Sequence, residues 1–400
     1  MSSPDETTVE CHAGSGSGAP LLSRAFLLIC LATGCFYLSF YLILPVMPLY
    51  VADLGGTSNQ IGLIMALFAF VAMCMRPPAG WLIDTKGSYS VLLVGMAIFL
   101  LASLGYLLTP SVRGILALRL FHGLGMGLFP TAATVVIAEL APPARRGEAM
   151  GWFGIANSIA YILGPAGGLA VVVRTGYAAL FLLAAGVAAL GLVCIWLLPL
   201  PARKASPLAR LPRLGDIFSR AALLPSTILL FLYLPYGSLI SFIPIVATQR
   251  GLRNPGLFFT VYAAAMLLVR SKAGEISDRR GRAAVILPGM VIAAVSLVVL
   301  GLASGPAGIL AGGAIFGIAF GMVQPTLMAL VVDRVSPAER GKAMGTFYVA
   351  WELGIAAGAA GSGWLLNSID FEMLFLVAAA VPFAGAFLAL RARASRRESI

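Results

Sequence analysis

Glu352 is the residue whose type and position most clearly suggest chemistry, because it is a lone acid within a long apolar stretch. A helix that begins near Ala343 would place Glu352 about 13 Å along its axis, at roughly 1.5 Å per residue. If that helix crosses a membrane, the carboxylate must pair with a cation, face water or take up a proton. We therefore predict that Glu352 carries protons or binds a substrate cation. A structural ion pair, for example with Arg119, is the alternative.

Arg119 and His122 lie three positions apart in another apolar stretch, a spacing that brings two side chains close together on a helix surface. A guanidinium keeps its charge at ordinary pH, so Arg119 could hold a proton relay, bind an anionic group or hydrogen-bond to backbone carbonyls. An imidazole can change charge near neutral pH, so His122 could move protons or serve as a hydrogen-bonded packing residue. Together with Glu352, these two residues form the predicted proton-coupling set.

The composition places these residues in a membrane protein. Hydrophobic residues make up 60% of the chain and charged residues 11%, whereas soluble domains contain roughly 25% charged residues. Runs of about 20 apolar residues cross a bilayer as helices, and the alternating pattern of a membrane barrel is missing. The sequence predicts an all-α membrane protein with twelve transmembrane helices, called spans 1 to 12 below. Their predicted bounds are 25–51, 59–83, 89–109, 114–138, 149–172, 177–198, 221–248, 257–277, 284–304, 307–331, 343–366 and 371–391.

The distribution of basic residues predicts how these spans are oriented. The net charge is +11, and 19 of the 27 Lys and Arg residues fall in loops and tails on the side of the two chain ends. Such an excess is typical of the cytoplasmic side of a membrane protein. We therefore expect a multi-pass protein of the cell inner membrane with both termini in the cytoplasm. The positive charge then needs no nucleic-acid partner.

A motif that recurs at a constant distance indicates that the spans form two copies of one unit. The pattern Gly-x-x-x-Asp-x-x-Gly occurs at 80–87 and again 194 positions later at 274–281. Arg76 and Arg270 share this offset, as do the segments 143–151 and 337–345. The sequence predicts two pseudosymmetric six-helix bundles, at 24–198 and 221–391. A cytoplasmic linker is predicted at 199–220, a disordered tail at 1–23 and a second tail at 392–400.

The doubled motif resembles the loop between spans 2 and 3 of the major facilitator superfamily, and the resemblance covers residues 25–391. The second copy carries the basic residues of that signature, whereas Ser88 stands where the first copy would usually have one. The segment 119–127 is similar to the superfamily's span-4 signature, whose arginine is usual in proton-coupled members. The run 164–168 is similar to the span-5 Gly-Pro signature of export-type antiporters, although Ala160 stands where that pattern usually has glycine.

The resemblance implies a transporter that opens a central site to each side of the membrane in turn. It also implies that Asp84 and Asp278 meet helix N-termini of the opposite bundle when the cytoplasmic side is closed. The partial positive charge of a helix N-terminus stabilises an anion there. The predicted conformational-switch residues are Gly80, Asp84, Gly87, Gly274, Asp278, Arg279, Gly281, Arg282, Gly164 and Pro165.

Aromatic and amide side chains mark the predicted middle of several spans, where transporters built from repeats bind their substrates. The predicted substrate-binding residues are Tyr37, Tyr41, Asn157, Tyr161, Tyr236, Gln324, Tyr348 and Trp351. A site lined in this way suits a small lipophilic or cationic molecule.

The function predicted from the sequence is secondary active transport: export of a small molecule in exchange for protons, as in the 12-span drug:proton antiporters that the chain resembles. A sugar or other metabolite permease is one alternative, and a non-transporting membrane sensor on the same scaffold is another. We expect a monomer in the lipid bilayer and no enzymatic activity. Two histidines and five cysteines show no metal-ligand spacing, so no metal or cofactor is expected and the proton gradient supplies the energy.

Overall fold

The structure is a computed structural model that describes residues 23–142, 145–199, 218–336 and 339–397. The predicted tail at 1–23 and linker at 199–220 lie almost entirely outside these residues. Span 1 consists of two helices, Arg24–Ile43 and Val46–Asp53, which are interrupted at Leu44-Pro45. The remaining spans are Ser58–Lys86, Ser88–Leu107, Val112–Leu140, Arg146–Thr175, Tyr177–Trp196, Leu223–Gln249, Gly256–Arg280, Ala283–Leu302, Pro306–Val332, Arg340–Leu365 and Phe371–Arg397.

Eleven spans of the described chain are long and apolar enough to cross a membrane. Span 11, Arg340–Leu365, is 26 residues long but falls below that hydropathy, because Glu352 and several glycines interrupt its apolar residues. It nevertheless packs against spans 2 and 7 along the centre of the molecule. The predicted all-α membrane fold is confirmed, and the span of the described chain that lacks a sufficiently apolar stretch is the one that carries the deep acid.

Close contacts recur in the two bundles at the offset of 194 residues, so the duplication extends to packing. A Cβ added to Gly123 of span 4 would lie 2.8 Å from the carbonyl oxygen of Phe68 in span 2. In the second bundle, a Cβ on Gly317 would lie 2.2 Å from the carbonyl oxygen of Tyr262. Only glycine lets the helix backbones approach this closely. Spans 2 and 4 therefore pack in the same register as spans 8 and 10.

The signature motifs end in glycines that form tight turns. Gly87 lies between spans 2 and 3, and Gly281 lies at the equivalent turn between spans 8 and 9; both have φ of 86°. This left-handed region is unfavourable for residues with a Cβ. The last glycine of each motif is therefore needed to reverse the chain within one or two residues.

The two bundles meet along two seams that are equivalent under the repeat. At the face opposite the chain ends, called the far face below, Gly62 of span 2 packs against the backbone of Ala359 in span 11. Gly256 of span 8, at the equivalent position, packs against the backbone of Pro165 and Ala166 in span 5. The distances from a Cβ to the opposing carbonyl oxygen would be 2.4 Å in both cases.

The bundles separate towards the terminal face, where the chain ends lie. Gly151 and Gly154, on the first turns of span 5, have no atom within 4 Å of a Cβ position, and Trp152 between them is exposed. Asn254 and Thr260, near the start of span 8, instead donate hydrogen bonds to the carbonyls of Ala166 and Ile162. The structure is thus closed at the far face and open at the terminal face.

A charged cluster braces the second signature motif but is missing from the first. Arg282 donates through Nε to Asp333 Oδ2 at 2.8 Å and through Nη1 to Asp278. The hydrogen bond with Asp333 raises the pKa of the Arg282 guanidinium. Ser88 occupies the equivalent position of the first copy, and Asp84 is exposed without a hydrogen-bond or ion-pair partner among the residues that the structure describes.

We expect Gly62→Ala to hinder closure of the far face, because its Cβ would lie 2.4 Å from Ala359 O and 3.1 Å from Gly363 Cα. Overpacking of this kind costs about 1–3 kcal/mol. Amide hydrogen exchange should rise at the far-face ends of spans 2 and 11. Gly34→Ala, whose Cβ would meet nothing within 4 Å, is the control. Unchanged exchange in Gly62→Ala would show that the seam is not tightly packed.

Replacing Arg282 by serine, the residue of the first copy, should lower the melting temperature of the purified protein. The expected loss is about 1 kcal/mol or less, because the partners of Arg282 are half exposed or more. Arg279→Ser is the matched control, since the Arg279 side chain is 77% exposed and its pair with Glu275 lies on the helix surface. Equal effects of the two changes would argue against a special role for Arg282.

Candidate functional site

An ion pair between the two bundles lies at the centre of the molecule. Arg76 Nη2 of span 2 lies 2.5 Å from Glu352 Oε1 of span 11. Glu352 is 5% exposed and stands at the middle of its helix, as its depth in the sequence predicts. The guanidinium carbon of Arg76 lies 5.2 Å from the centroid of the Tyr348 ring, one turn before Glu352. At mid-depth, the Arg76 guanidinium thus interacts with both the Glu352 carboxylate and the Tyr348 ring.

This pairing differs from two expectations that follow from the sequence alone. Glu352 pairs with Arg76 and not with Arg119, which belongs to a separate cluster. Arg76 lies near a signature loop, where a long basic side chain commonly extends to the aqueous surface, but its side chain points inward and is 25% exposed. The cost of burying an unpaired carboxylate explains this orientation, because Arg76 supplies the cation that Glu352 requires.

Aromatic rings continue from the ion pair into the second bundle. The ring of Trp351 lies 5.9 Å from Tyr348 and 4.6 Å from Tyr233, measured between centroids. Tyr233 contacts Tyr236 at 5.6 Å. The hydroxyl of Tyr233 is buried and has no hydrogen-bond partner among the described residues.

The aromatic network then crosses to the first bundle. The hydroxyls of Tyr236 and Tyr161 are 3.0 Å apart, and the Tyr161 ring contacts Tyr41 edge-on at 4.6 Å. Tyr41 donates a hydrogen bond to Asn157 Oδ1 at 3.1 Å and stacks on Tyr37. The bundles are therefore joined at mid-depth by one ion pair and by one pair of tyrosine hydroxyls.

Seven of the eight predicted substrate-binding residues belong to this network. The exception is Gln324, which is half-buried in span 10 and has no hydrogen bond or ring contact among the residues described. Tyr262, Phe316 and Phe320, which are absent from the prediction, also contact Tyr236.

The predicted proton-coupling residues Arg119 and His122 form a second, fully buried cluster within the first bundle. The guanidinium carbon of Arg119 lies 4.2 Å from the Phe68 ring centroid, and its Nη2 lies 3.6 Å from Met65 Sδ. His122 Nδ1 lies 3.1 Å from the hydroxyl of Tyr106. Within the described chain, Arg119 Nε and Nη1 and His122 Nε2 lack partners. This cluster is packed by aromatic rings and does not contact Glu352.

The predicted switch residues fall into two groups. Gly164 and Pro165 lie in the closed region, where a Cβ on Gly164 would approach the backbone of Tyr41 and Pro165 faces Gly256. Gly80 and Gly274 lie at the open terminal face with nothing within 4 Å. Asp278 pairs within its own bundle, and no hydrogen bond joins Asp84 to the opposite bundle among the described residues. Contact of these aspartates with the opposite bundle in a closed state remains a prediction.

The ion pair at the boundary between the bundles can be broken when a proton neutralises its carboxylate. When Glu352 is ionised, it holds Arg76 and thereby joins span 2 to span 11. A proton on Glu352 would remove its negative charge and free the guanidinium. No group of histidine, cysteine and acidic residues in the described chain is arranged to bind a metal.

Replacing either partner of the ion pair should destabilise the protein more than replacing both. Glu352→Gln or Arg76→Gln leaves one charge without its partner, which costs about 3–5 kcal/mol at fully buried sites and less here because Arg76 is 25% exposed. Thermal unfolding of both single variants and the double variant measures the coupling. Arg270→Gln, at the equivalent position of the repeat, should be additive with Glu352→Gln. Additive effects of the Arg76 and Glu352 changes would rule out the pair.

Comparison with known proteins agrees with this architecture. The family model described as Major Facilitator Superfamily matches residues 29–270 and 254–399. An uncharacterised MFS-type transporter of Burkholderia mallei is 27% identical over 362 residues, covering 88% of each chain. Another from Salmonella typhimurium is 26% identical over 361 residues, covering 88% of this chain and 92% of the relative.

Solved structures resemble the chain in fold. A POT family transporter in complex with 5-aminolevulinic acid has a TM-score of 0.80 at 16% identity, covering 92% of this chain and 95% of the other. The nucleoside transporter NupG has a TM-score of 0.73 at 14% identity, covering 92% and 99%. The matched family model spans most of the sequence. The chain belongs to the major facilitator superfamily of membrane transporters.

Proposed function

We propose that the protein is a proton-coupled exporter that exchanges inward-moving protons for a small molecule with an apolar body. The observation that carries this proposal is the ion pair of Arg76 and Glu352, which joins the two bundles at mid-depth beside an aromatic network. The site supports transport by alternating access, since the bundles are closed on one face and open on the other.

Proton uptake by Glu352 provides the coupling step. The pair lies on the seam between spans 2 and 11, so loss of the negative charge weakens an interaction between the bundles. Protonation of Glu352 therefore shifts the equilibrium between the state open at the terminal face and the state open at the far face. A group can shift this equilibrium only if it interacts differently with the two states. For Arg119 we propose a structural or electrostatic role, because its side chain is buried within one bundle.

The aromatic network favours a lipophilic body for the substrate. Rings of Trp351, Tyr233 and Tyr236 supply large apolar contact areas together with a few polar groups, as is typical of sites for small organic molecules. A cationic group on the substrate, which the sequence also suggests, has less support. The carboxylate that would attract it is already paired with Arg76. A sugar permease would need more hydrogen-bonding groups in this region.

The direction of transport rests on the span-5 Gly-Pro signature and on the charge distribution. Pro165 lies in the seam that closes the far face, and Gly164 packs beside it against span 1, which supports a role of this segment in controlling leakage. The excess of basic residues favours a cytoplasmic terminal face. In this proposal the protein is a monomer in the cell inner membrane. The state described by the structure is open to the cytoplasm.

Reconstitution into liposomes tests the coupling. An imposed pH gradient should drive uptake or release of a lipophilic aromatic probe such as 2-naphthoate by the wild-type protein. Glu352→Gln should abolish this gradient-driven movement while keeping exchange of labelled for unlabelled probe across the membrane. A pH-sensitive dye inside the liposomes reports the accompanying proton movement.

Glu372→Gln is the matched control, because Glu372 is an exposed acid at the start of span 12. It should transport like the wild-type protein. Gradient-driven transport by Glu352→Gln at the wild-type rate would exclude Glu352 as the coupling residue. Specific probe binding without any movement by the wild-type protein would instead favour the membrane sensor.

A further inference from the structure

The repeat relates the central ion pair to a second position where the acid is missing. At the offset of 194 residues, Arg76 corresponds to Arg270 in span 8, and Glu352 corresponds to Ser158 in span 5. The seams that carry the two positions are equivalent, because Gly62 and Gly256 make the same backbone contacts in each. Arg270 therefore occupies the position equivalent to Arg76, and a serine stands at the position equivalent to the carboxylate.

The contacts of span 8 show which way Arg270 is directed. Gly256 and Thr260 contact span 5, whereas Met266 and Val269 pack against Gly321 of span 10. Successive residues of a helix are about 100° apart, which places Arg270 between these two faces. This sector of span 8 borders the central space enclosed by spans 5 and 10.

The opposite side of span 8 provides a contrast. Leu268 is 78% exposed and Lys272 is also exposed, and both lie on the face turned away from spans 5 and 10. That face is suited to contact lipid, and the amine of Lys272 can extend to the membrane surface. Arg270 and Lys272 are thus two cations on one helix, one directed to the interior and one to the surroundings.

Arg270 is exposed and forms neither an ion pair nor a hydrogen bond within the part of the chain that the structure describes. The hydroxyl of Ser158 donates to the carbonyl of Gly154 in its own helix and supplies no charge. The ion pair of Arg76 leaves Glu352 occupied. Among the residues described, Arg270 is consequently a cation without a partner that borders the open central space.

We propose that Arg270 binds an anionic group of the transported molecule, such as a carboxylate, sulfonate or phosphate. A guanidinium presents several N–H donors that match the geometry of such groups. Tyr262 lies eight positions earlier on the same helix, roughly 12 Å along its axis, and contacts Tyr236 and Phe320. Side chains on a helix lean towards its N-terminus, so Arg270 leans towards these rings.

The ligand class that fits this arrangement is an anion attached to an aromatic or otherwise apolar body, with the body against the Tyr262 cluster and the anion at Arg270. The inference depends on the proposed function only in placing the transported molecule in the central space. It concerns equilibrium binding, whereas the proton coupling concerns movement under a gradient.

Three probes with the same ring system test the charge preference: 2-naphthoate, 2-naphthylmethanol and 2-naphthylmethylammonium. Binding to the purified protein in detergent is measured by equilibrium dialysis. The wild-type protein should bind the anion more tightly than the alcohol by about tenfold or more, as expected for a hydrogen bond to a charged group. Arg270→Gln should remove this preference and leave the affinity for the alcohol unchanged.

Two control variants separate a direct contact from a general change of charge. Lys272→Gln removes the same charge from the opposite face of span 8 and should keep the preference. Ser158→Glu should supply the missing partner of Arg270 and abolish anion binding, whereas Ser158→Gln should not. A preference retained in Arg270→Gln, a wild-type preference for the ammonium, or no binding of any probe would overturn the proposal.

The result of the binding experiment can be distinguished from a failure of the proton-coupling proposal. Loss of anion preference in Arg270→Gln supports the site even if a pH gradient drives no transport. Gradient-driven transport that depends on Glu352 but shows no effect of Arg270 on probe affinity would leave the coupling proposal intact and overturn this one.

Discussion

The ion pair between Arg76 and Glu352 is the interaction on which the rest of the arrangement depends. An isolated charge within the membrane is costly, and removal of one partner from a buried pair leaves the other exposed to that cost. Because the partners lie on different bundles, any motion that separates spans 2 and 11 must provide a new partner or a proton. The chemistry of a single carboxylate is thereby linked to the relative position of two six-helix bodies.

The duplication makes the exceptions to symmetry informative. Glycine contacts such as Gly123 with Phe68 and Gly317 with Tyr262 are preserved at a constant offset, which indicates that both bundles share one packing register. Charged groups follow a different rule. Glu352 has Ser158 as its equivalent, and the buried Arg119 has Gly313, whose Cβ position lies against the ring of Phe258. The scaffold is repeated, whereas Glu352 and Arg119 each have an uncharged residue at the equivalent position.

The helices and the two-bundle organisation could be predicted from the sequence, because apolar runs and the motif offset are local properties of the chain. The partner of Glu352 could not be predicted in the same way. Arg76 is 276 positions away, and only the register between spans 2 and 11 brings the two side chains together. Tyr262, Phe316 and Phe320 were missed for a related reason, since aromatic residues in apolar helices are common and only packing shows which of them meet.

The remaining contacts between the bundles are of a kind that can be made and broken at low cost. Gly62 and Gly256 bring backbones together without interlocking side chains, and the hydrogen bonds from Asn254 and Thr260 end on carbonyls near Pro165. Seams of this type leave two arrangements close in energy, as a transporter requires. In the proposed mechanism, one proton on Glu352 or one anion at Arg270 changes which arrangement is favoured to the extent that it binds one arrangement more tightly than the other.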